Sequence, residues 1–313
     1  MKIFDAAAVH AALDWSQLAD AIERAFKGTA HVPLRHAHEL SKADALLLMP
    51  AWDSQIILLK LVTVIPSAPD TVQATVLVVD RATGKPLAVL DGEAVTQRRT
   101  AATSALAAQH LALPDAETLL VVGTGRLSLW MARAHAALRV AGGERHVRPL
   151  RRILVWGRNL ESAQKLARTL EFEGLPVQAV DDLEKASRQA QIICCATTSK
   201  APLIQGDWLA AGTHLDLVGS FKPDMREVDD TAVVRSRVIV DTYQGALAEA
   251  GDLVQPIKNG LIQSNHVVGD LAGLLKNEYE GRKNSGDITL FKSVGTALED
   301  LAAAHLIMKR DQP

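Results

Sequence analysis

Lys60 interrupts an otherwise apolar run, residues 56–65. Side chains alternate along an extended strand, so Lys60 shares one face with Ile56, Leu58, Val62 and Val64. Ile57, Leu59, Leu61 and Ile65 cover the other. An ammonium in that setting is costly unless it meets an anion, either an internal carboxylate or a ligand's. Thr96 is expected to cap a helix that runs to about Leu113, where Pro114 stops it. That puts Arg99 in the first turn, where helix polarity favours anions. Lys60 and Arg99 together suit a substrate carboxylate, the arginine gripping it at two points. Arg35 is a third candidate cation. His36 and His38 stand two apart and could share a strand face as metal ligands. No further ligand cluster accompanies them, so they read as polar strand or loop residues and no metal is expected.

A second constellation lies further along. Thr118-Leu-Leu-Val-Val-Gly123-Thr124-Gly125-Arg126-Leu127-Ser128 reads as a strand, a glycine turn and a helix start. Gly123 permits the turn, and Gly125 lets the backbone approach a pyrophosphate seated on the helix N-terminus. Ser128 is small enough for close packing of that helix on the strand. The next strand ends in Trp156-Gly157-Arg158-Asn159, with no acid before Glu161. A carboxylate there would accept bonds from the adenine-ribose hydroxyls of NAD, whereas an arginine suits a 2′-phosphate. The expected cofactor is therefore NADP(H), with NAD(H) the alternative.

These residues need elements to position them. A helix over residues 14–27 precedes strands at 45–49, 56–65, 72–79 and 86–90, the last two joined as a hairpin through Asp80-Arg81-Ala82-Thr83-Gly84. Beyond Pro114 strands and helices alternate, with strands at 118–122, 153–156, 177–180, 192–196, 214–218 and 238–240. That alternation predicts a doubly wound parallel sheet. A final helix covers residues 294–308. The 313 residues amount to about two domains at roughly 150 residues each. A net charge of -2 argues against a nucleic-acid binder. The arginine-rich run 144–152 reads as a solvated loop. Cys194 and Cys195 are adjacent, point to opposite faces of a strand and read as small buried residues in a reducing compartment. No apolar run reaches the roughly 18 residues of a membrane span. Asp5, His10 and Asp14 interrupt any signal-peptide core. A cytoplasmic protein without membrane partners is expected.

Several stretches recur in one family's order. They are Leu48-Met49-Pro50-Ala51, Lys60 before Pro66, Gln73-Ala74-Thr75, Asp80 with Gly84, and Thr96-Gln-Arg-Arg-Thr-Ala-Ala. Gly123-Thr-Gly125, Ala196-Thr197-Thr198, Val218-Gly219-Ser220 and Ala250-Gly251-Asp252 follow. The last is Asp287-Ile-Thr-Leu-Phe-Lys-Ser-Val-Gly295, with Glu299-Asp300 behind it. In these stretches the chain resembles the ornithine cyclodeaminase/mu-crystallin family. The resemblance implies an α/β fold: a Rossmann-type doubly wound parallel sheet plus a split α+β substrate-binding and dimerisation domain. The split domain would comprise residues 1–113 with 294–313, and the dinucleotide domain residues 114–293. It implies a homodimer, and a substrate carboxylate held by Arg35, Lys60 and Arg99. Cofactor contacts would fall on Thr71, Gln73, Thr100, Gly123, Thr124, Gly125, Arg126, Leu127, Arg158, Asn159, Ala196, Thr197, Thr198, Val218, Ser220 and Val294.

Two departures direct the reading within the family. Ornithine cyclodeaminases carry a proton-transferring aspartate two residues beyond the Val-Gly glycine; here that position is Phe221. They also carry an acid two residues before the Met-Pro pair; here it is Leu47. Leu127 replaces a common glutamine. Cyclodeamination moves protons at every stage, whereas a cyclic imine can arrive already protonated and needs little more than anchoring and a placed nicotinamide. The expectation is therefore the ketimine-reductase branch, with Lys60 and Arg99 as catalytic residues and Phe221 against the substrate. The products would be L-proline from Δ1-pyrroline-2-carboxylate or L-pipecolate from Δ1-piperideine-2-carboxylate. One alternative is an ornithine cyclodeaminase or amino-acid dehydrogenase, with Asp216, Asp224 or Glu227 replacing the missing aspartate. Another is a non-catalytic NADPH-binding protein of the mu-crystallin type, against which the presence of both Lys60 and Arg99 speaks.

Overall fold

The computed structural model describes residues 1–139 and 147–310. In chain order the first elements are β1 (Lys2–Phe4), α1 (Ala6–Ala12), α2 (Trp15–Lys27), β2 (His36–Glu39), β3 (Ala45–Trp52), β4 (Ile56–Val64), β5 (Val72–Asp80), β6 (Pro86–Asp91) and α3 (Gly92–Leu111). Next come β7 (Thr118–Val122), α4 (Arg126–Leu138), β8 (Arg152–Trp156), α5 (Leu160–Phe172), β9 (Val177–Val180), α6 (Leu183–Gln189), β10 (Ile192–Cys195) and β11 (His214–Leu217). The rest are α7 (Asp230–Arg235), β12 (Ser236–Val240), α8 (Tyr243–Glu249), α9 (Gly251–Lys258), β13 (Val267–Asp270), α10 (Leu271–Leu275), β14 (Ile288–Lys292) and α11 (Ala297–Arg310).

The chain forms two units, Met1–Thr103 with Gly295–Pro313, and Ser104–Val294. The first crossing falls inside α3 rather than at 113/114, because the end of α3 is fastened within the second unit. The Leu111 carbonyl accepts hydrogen bonds from Thr289 Oγ1 at 3.0 Å and Arg282 Nε at 2.9 Å.

The first unit holds a six-stranded sheet in the order β1-β6-β5-β4-β3-β2. β1 runs parallel to β6 and the other neighbours are antiparallel. The alternating burial of β4 turns Lys60 inward with Ile56, Leu58 and Val62, while Leu61 on the other face is exposed. α11 packs on α2 and on β3 and β4. The helix after β6 begins at Gly92, earlier than expected. Its cap is Asp91, whose Oδ1 accepts the Ala94 N–H at 2.8 Å. Gly92 is needed at that corner: a Cβ there would lie 2.5 Å from the Ala74 carbonyl carbon. β1 and β2 are too short for the apolar pattern to announce them.

The second unit is a parallel eight-stranded Rossmann-type sheet in the order β13-β12-β14-β11-β10-β7-β8-β9. The order reverses between β7 and β10, the kind of switch point at whose carboxyl edge open α/β sheets take their ligands. β14 is buried along its whole length in the middle of this sheet. Its Thr289 and Lys292 broke the apolar run that would have revealed it as a strand. Cys194 and Cys195 are buried free thiols in β10, and burial raises both well above the ordinary thiol value. Of the run 144–152, residues 144–146 lie outside the described residues. Arg148 and Arg151 pair with Glu117 at the surface. Among the described residues no helix is long and apolar enough to cross a membrane.

Candidate active site

In the first unit β4, α3 and α11 bring four charged groups together, and the segment before β2 adds a fifth. Lys60 Nζ donates to Thr96 Oγ1 at 2.6 Å and to Asp300 Oδ1 at 3.0 Å. Arg99 Nε reaches the same Asp300 oxygen at 3.2 Å, and its NH1 donates to Glu299 Oε2. Arg35, in the segment before β2, donates to the Gly295 carbonyl at 2.7 Å. The anion that Lys60 meets is thus the protein's own Asp300, one of the two partners the sequence left open. Lys60 and Arg99 thus share the Asp300 carboxylate, and Glu299 adds a second acid on Arg99. An ammonium has three donors, and the two partners above use two of them.

Arg99 is held differently from the expectation. It lies well inside α3 rather than in its first turn, so helix polarity contributes little there. Thr96 is likewise no cap; it bonds back to the Gly92 carbonyl and accepts the lysine. Helical spacing separates Arg99 from its neighbour Arg98, whose guanidinium stacks on Trp15 at 3.7 Å from the ring centroid. Burial lowers Lys60 to a pKa of about 8, Asp300 opposing that shift and Arg99 adding to it. Burial alone would raise the Asp300 carboxyl, yet Lys60 and Arg99 hold it below its usual value. Glu299 and Asp300 were not singled out as site residues by sequence reasoning. Two adjacent acids on an otherwise apolar terminal helix were the signal available.

Gly295 has φ +82°, and a Cβ there would lie 2.7 Å from Arg99 NH1. Gly295→Ala should therefore displace the Arg99 fork and raise KM for a carboxylate substrate. The left-handed backbone alone should cost about 1–2 kcal/mol of stability. Steady-state kinetics beside a melting curve checks this; an unchanged KM would show that Gly295 does not set the position of Arg99.

The second unit presents its candidate residues along the carboxyl edge of the parallel sheet. Gly123 has φ +122°, and a Cβ on it would lie 2.7 Å from the Ala196 carbonyl oxygen, so the turn requires glycine. Gly125 is the N-cap of α4 without a side-chain cap bond, and nothing lies within 4 Å of where its Cβ would be. α5, by contrast, is capped by its own Asn159, which accepts the Ser162 N–H at 3.0 Å. An uncapped helix start with open space above it, at the point where strand order reverses, fits a pyrophosphate. Gly157 lets the end of β8 close on this turn, since a Cβ would lie 2.5 Å from Thr124 Cγ2. Arg158 beside it is exposed and makes no ion pair among the described residues. Thr124, Arg126, Leu127, Ala196, Thr197, Thr198, Val218 and Ser220 follow the ends of β7, β10 and β11. Val294 follows β14, its N–H bound to Asp241 Oδ2 at 2.8 Å. Thr71, Gln73 and Thr100 lie in the first unit, the first two exposed at the start of β5 and the third buried on α3 beside Arg99.

A family model described as the ornithine cyclodeaminase/mu-crystallin family matches residues 2–312. The chain belongs to that family. It is 34% identical over 322 residues to a Delta(1)-pyrroline-2-carboxylate reductase of Colwellia psychrerythraea, covering 99% of each chain. A protein of the same name from Paracoccus denitrificans is 38% identical over 239 residues, 76% of this chain and 73% of that one. Among solved structures, the Delta(1)-pyrroline-2-carboxylate reductase of Thermococcus litoralis in complex with NADH and L-proline is similar with a TM-score of 0.91. It is 32% identical, over 99% of this chain and 97% of that one.

The family's cyclodeaminases place an aspartate where this chain has Phe221, and the three stand-ins are each engaged elsewhere. Asp216 is fully buried within β11, its Oδ2 3.0 Å from His135 Nε2. Asp224 is exposed and pairs with Lys200 at 2.7 Å. Glu227 is fully buried and takes four donors from neighbouring loops. Phe221 itself is 38% exposed just past β11. Leu47 is half-buried on β3. His36 and His38 are exposed on the edge strand β2. Among the described residues one His/Cys/Asp group lies within ligand reach of itself, His135 with Cys194 and Asp216, and it includes neither of them.

Proposed function

We propose that this protein is a nicotinamide-nucleotide-dependent reductase of a small cyclic ketimine carboxylate. Its substrates would be Δ1-pyrroline-2-carboxylate, giving L-proline, or Δ1-piperideine-2-carboxylate, giving L-pipecolate. The observation that carries this reading is the buried pair Lys60 and Arg99, held together on Asp300 with one Lys60 N–H beyond its two partners, and the half-buried Arg35 tied to the Gly295 carbonyl next to the Arg99 fork. The names of the relatives support it. In this reading Arg99 and Arg35 grip the substrate carboxylate and Lys60 adds its third N–H. Asp300 and Glu299 fix the two buried cations so that neither must reorganise when substrate arrives. The bound dinucleotide supplies the hydride. The imine nitrogen enters protonated, so no acid is required where Phe221 stands.

The residues along the carboxyl edge of the parallel sheet would hold that dinucleotide. The preference would be for NADP(H), through a 2′-phosphate on Arg158. The protein would act as a homodimer in the cytoplasm, where its two unpaired thiols stay reduced. The direct test is NADPH oxidation with Δ1-pyrroline-2-carboxylate, run beside proline formation from L-ornithine with NAD+.

Arg158→Asp tests the cofactor assignment. A charge-assisted phosphate contact is worth roughly 1.5–3 kcal/mol, so NADPH affinity should fall about tenfold or more while NADH affinity holds or improves. If wild-type protein binds NADH as tightly as NADPH in a fluorescence titration, Arg158 does not read the 2′-phosphate.

A further inference from the structure

Beyond the carboxyl ends of β10 and β11 lies a buried set of charges, Glu227, Asp252 and Lys292. Glu227 Oε1 accepts the Thr197 N–H at 2.7 Å and the Thr197 hydroxyl at 2.9 Å. Its Oε2 accepts the N–H groups of Gly219 at 2.7 Å and Ser220 at 3.3 Å. One carboxylate thus ties the segment after β10 to the segment after β11. The two segments touch: a Cβ on Gly219 would lie 2.0 Å from the Thr197 carbonyl oxygen and 2.3 Å from Glu227 Oε1. Asp252 backs the arrangement. Its Oδ1 accepts the N–H groups of Glu227 at 2.8 Å and Val228 at 3.1 Å, and its Oδ2 accepts the Ser220 hydroxyl. Lys292, at the end of β14, lies 3.8 Å from Asp252 Oδ2 and donates to the Leu217 carbonyl at 3.1 Å.

Buried charges are a poor way to gain stability, because desolvation offsets most of their attraction. Their placement points to what they hold. With the pyrophosphate on the turn after β7 and the adenosine half directed to Arg158 after β8, the other half extends to β10 and β11. The loops that Glu227 fastens are the ones it would meet.

We infer that Glu227 is a positioning residue for the nicotinamide half of the dinucleotide, acting through the backbone of Thr197, Gly219 and Ser220. The inference rests on the dinucleotide-dependent reading above. Glu227→Gln places an NH2 group opposite N–H donors that now meet an oxygen, so at least one loop must move. Burial raises the Glu227 carboxyl to about 7, with Lys292 opposing the shift and Asp252 adding to it.

The test compares two ligands on the full-length protein. NADPH carries both halves; 2′-phospho-ADP-ribose lacks the nicotinamide. Glu227→Gln should weaken NADPH about tenfold while changing the affinity for 2′-phospho-ADP-ribose by less than about twofold. Loss of both ligands in equal measure, or of neither, would overturn the inference. Glu227→Asp, which retains the charge but not the reach, carries the same comparison where the glutamine variant does not fold. Should wild-type protein prefer NADH, the same comparison is made with NADH and ADP-ribose; wild-type protein that binds neither pair would bring down the dinucleotide reading itself, and this inference with it.

Discussion

Arg99→Ala is expected to lower kcat/KM for Δ1-pyrroline-2-carboxylate by roughly 10²–10³-fold, while NADPH affinity stays within about twofold. Breaking a buried ion pair by removing one partner costs about 3–5 kcal/mol, and a two-point carboxylate contact disappears with it. The loss divides between two effects. Substrate loses an anchor, and Glu299 and Asp300 lose a buried cation, so the melting temperature should fall too. Arg99→Lys separates them: it keeps a charge beside the acids but not the planar fork. A lysine variant that melts like wild type yet still binds substrate poorly would assign the fork to the ligand. Equal loss of nucleotide affinity in Arg99→Ala and Lys60→Ala would make both residues structural.

Lys60 adds a pH signature to the same site. Its pKa is lowered from 10.5 to about 8. Between those values the unfolded chain keeps a proton that the folded protein has released, so stability contributed by this group rises with pH across the window. Substrate affinity moves the other way, because the clamp loses a charge as pH passes 8. The alkaline limb of kcat/KM should therefore fall near pH 8, and Lys60→Arg, which stays charged, should remove that limb. An alkaline limb identical in both proteins would take Lys60 out of substrate binding.

The sequence exposed this site unevenly, for reasons that lie in the residues. Lys60 stood out because its strand is apolar around it, and the 123–125 turn because glycine spacing and flanking apolar runs agree. Asp300 was invisible as a partner: it lies 240 positions from Lys60 in the chain, and no local pattern encodes that pairing. The misplaced start of α3 has a similar origin. Thr96 is a good cap by type, but Asp91 comes first and β6 leads straight into the helix. Strand β14 escaped because a fully buried central strand has no alternation to detect, and its two polar residues are satisfied by distant groups. Thr289 Oγ1 donates to the Leu111 carbonyl and Lys292 Nζ to that of Leu217. Local chemistry was readable, and long-range pairing was not.

Wild-type protein is expected to reduce a cyclic ketimine and to release no ammonia from L-ornithine at an enzymatic rate. Phe221 decides this. It stands just past β11, its N–H bound to the Gly219 carbonyl at 3.0 Å, at the sheet edge where nucleotides bind. A phenyl ring cannot take up or return the protons that amine oxidation, ring closure and ammonia loss each require. Of the acids that could replace it, Asp216 and Glu227 are fully buried on partners of their own, and Asp224 is an exposed surface residue paired with Lys200. The ring also makes its surroundings apolar. Leaving ornithine's side-chain ammonium unpaired against it would cost a few kcal/mol, whereas a cyclic imine has no such group. Phe221→Asp alone should not restore cyclodeamination, because Leu47 still offers nothing to the amine. Phe221→Asp with Leu47→Glu supplies both acids and is the fairer gain-of-function test, read as ammonia released from L-ornithine with NAD+. Ammonia release by the unmodified protein at a rate matching its ketimine reduction would return it to the cyclodeaminases.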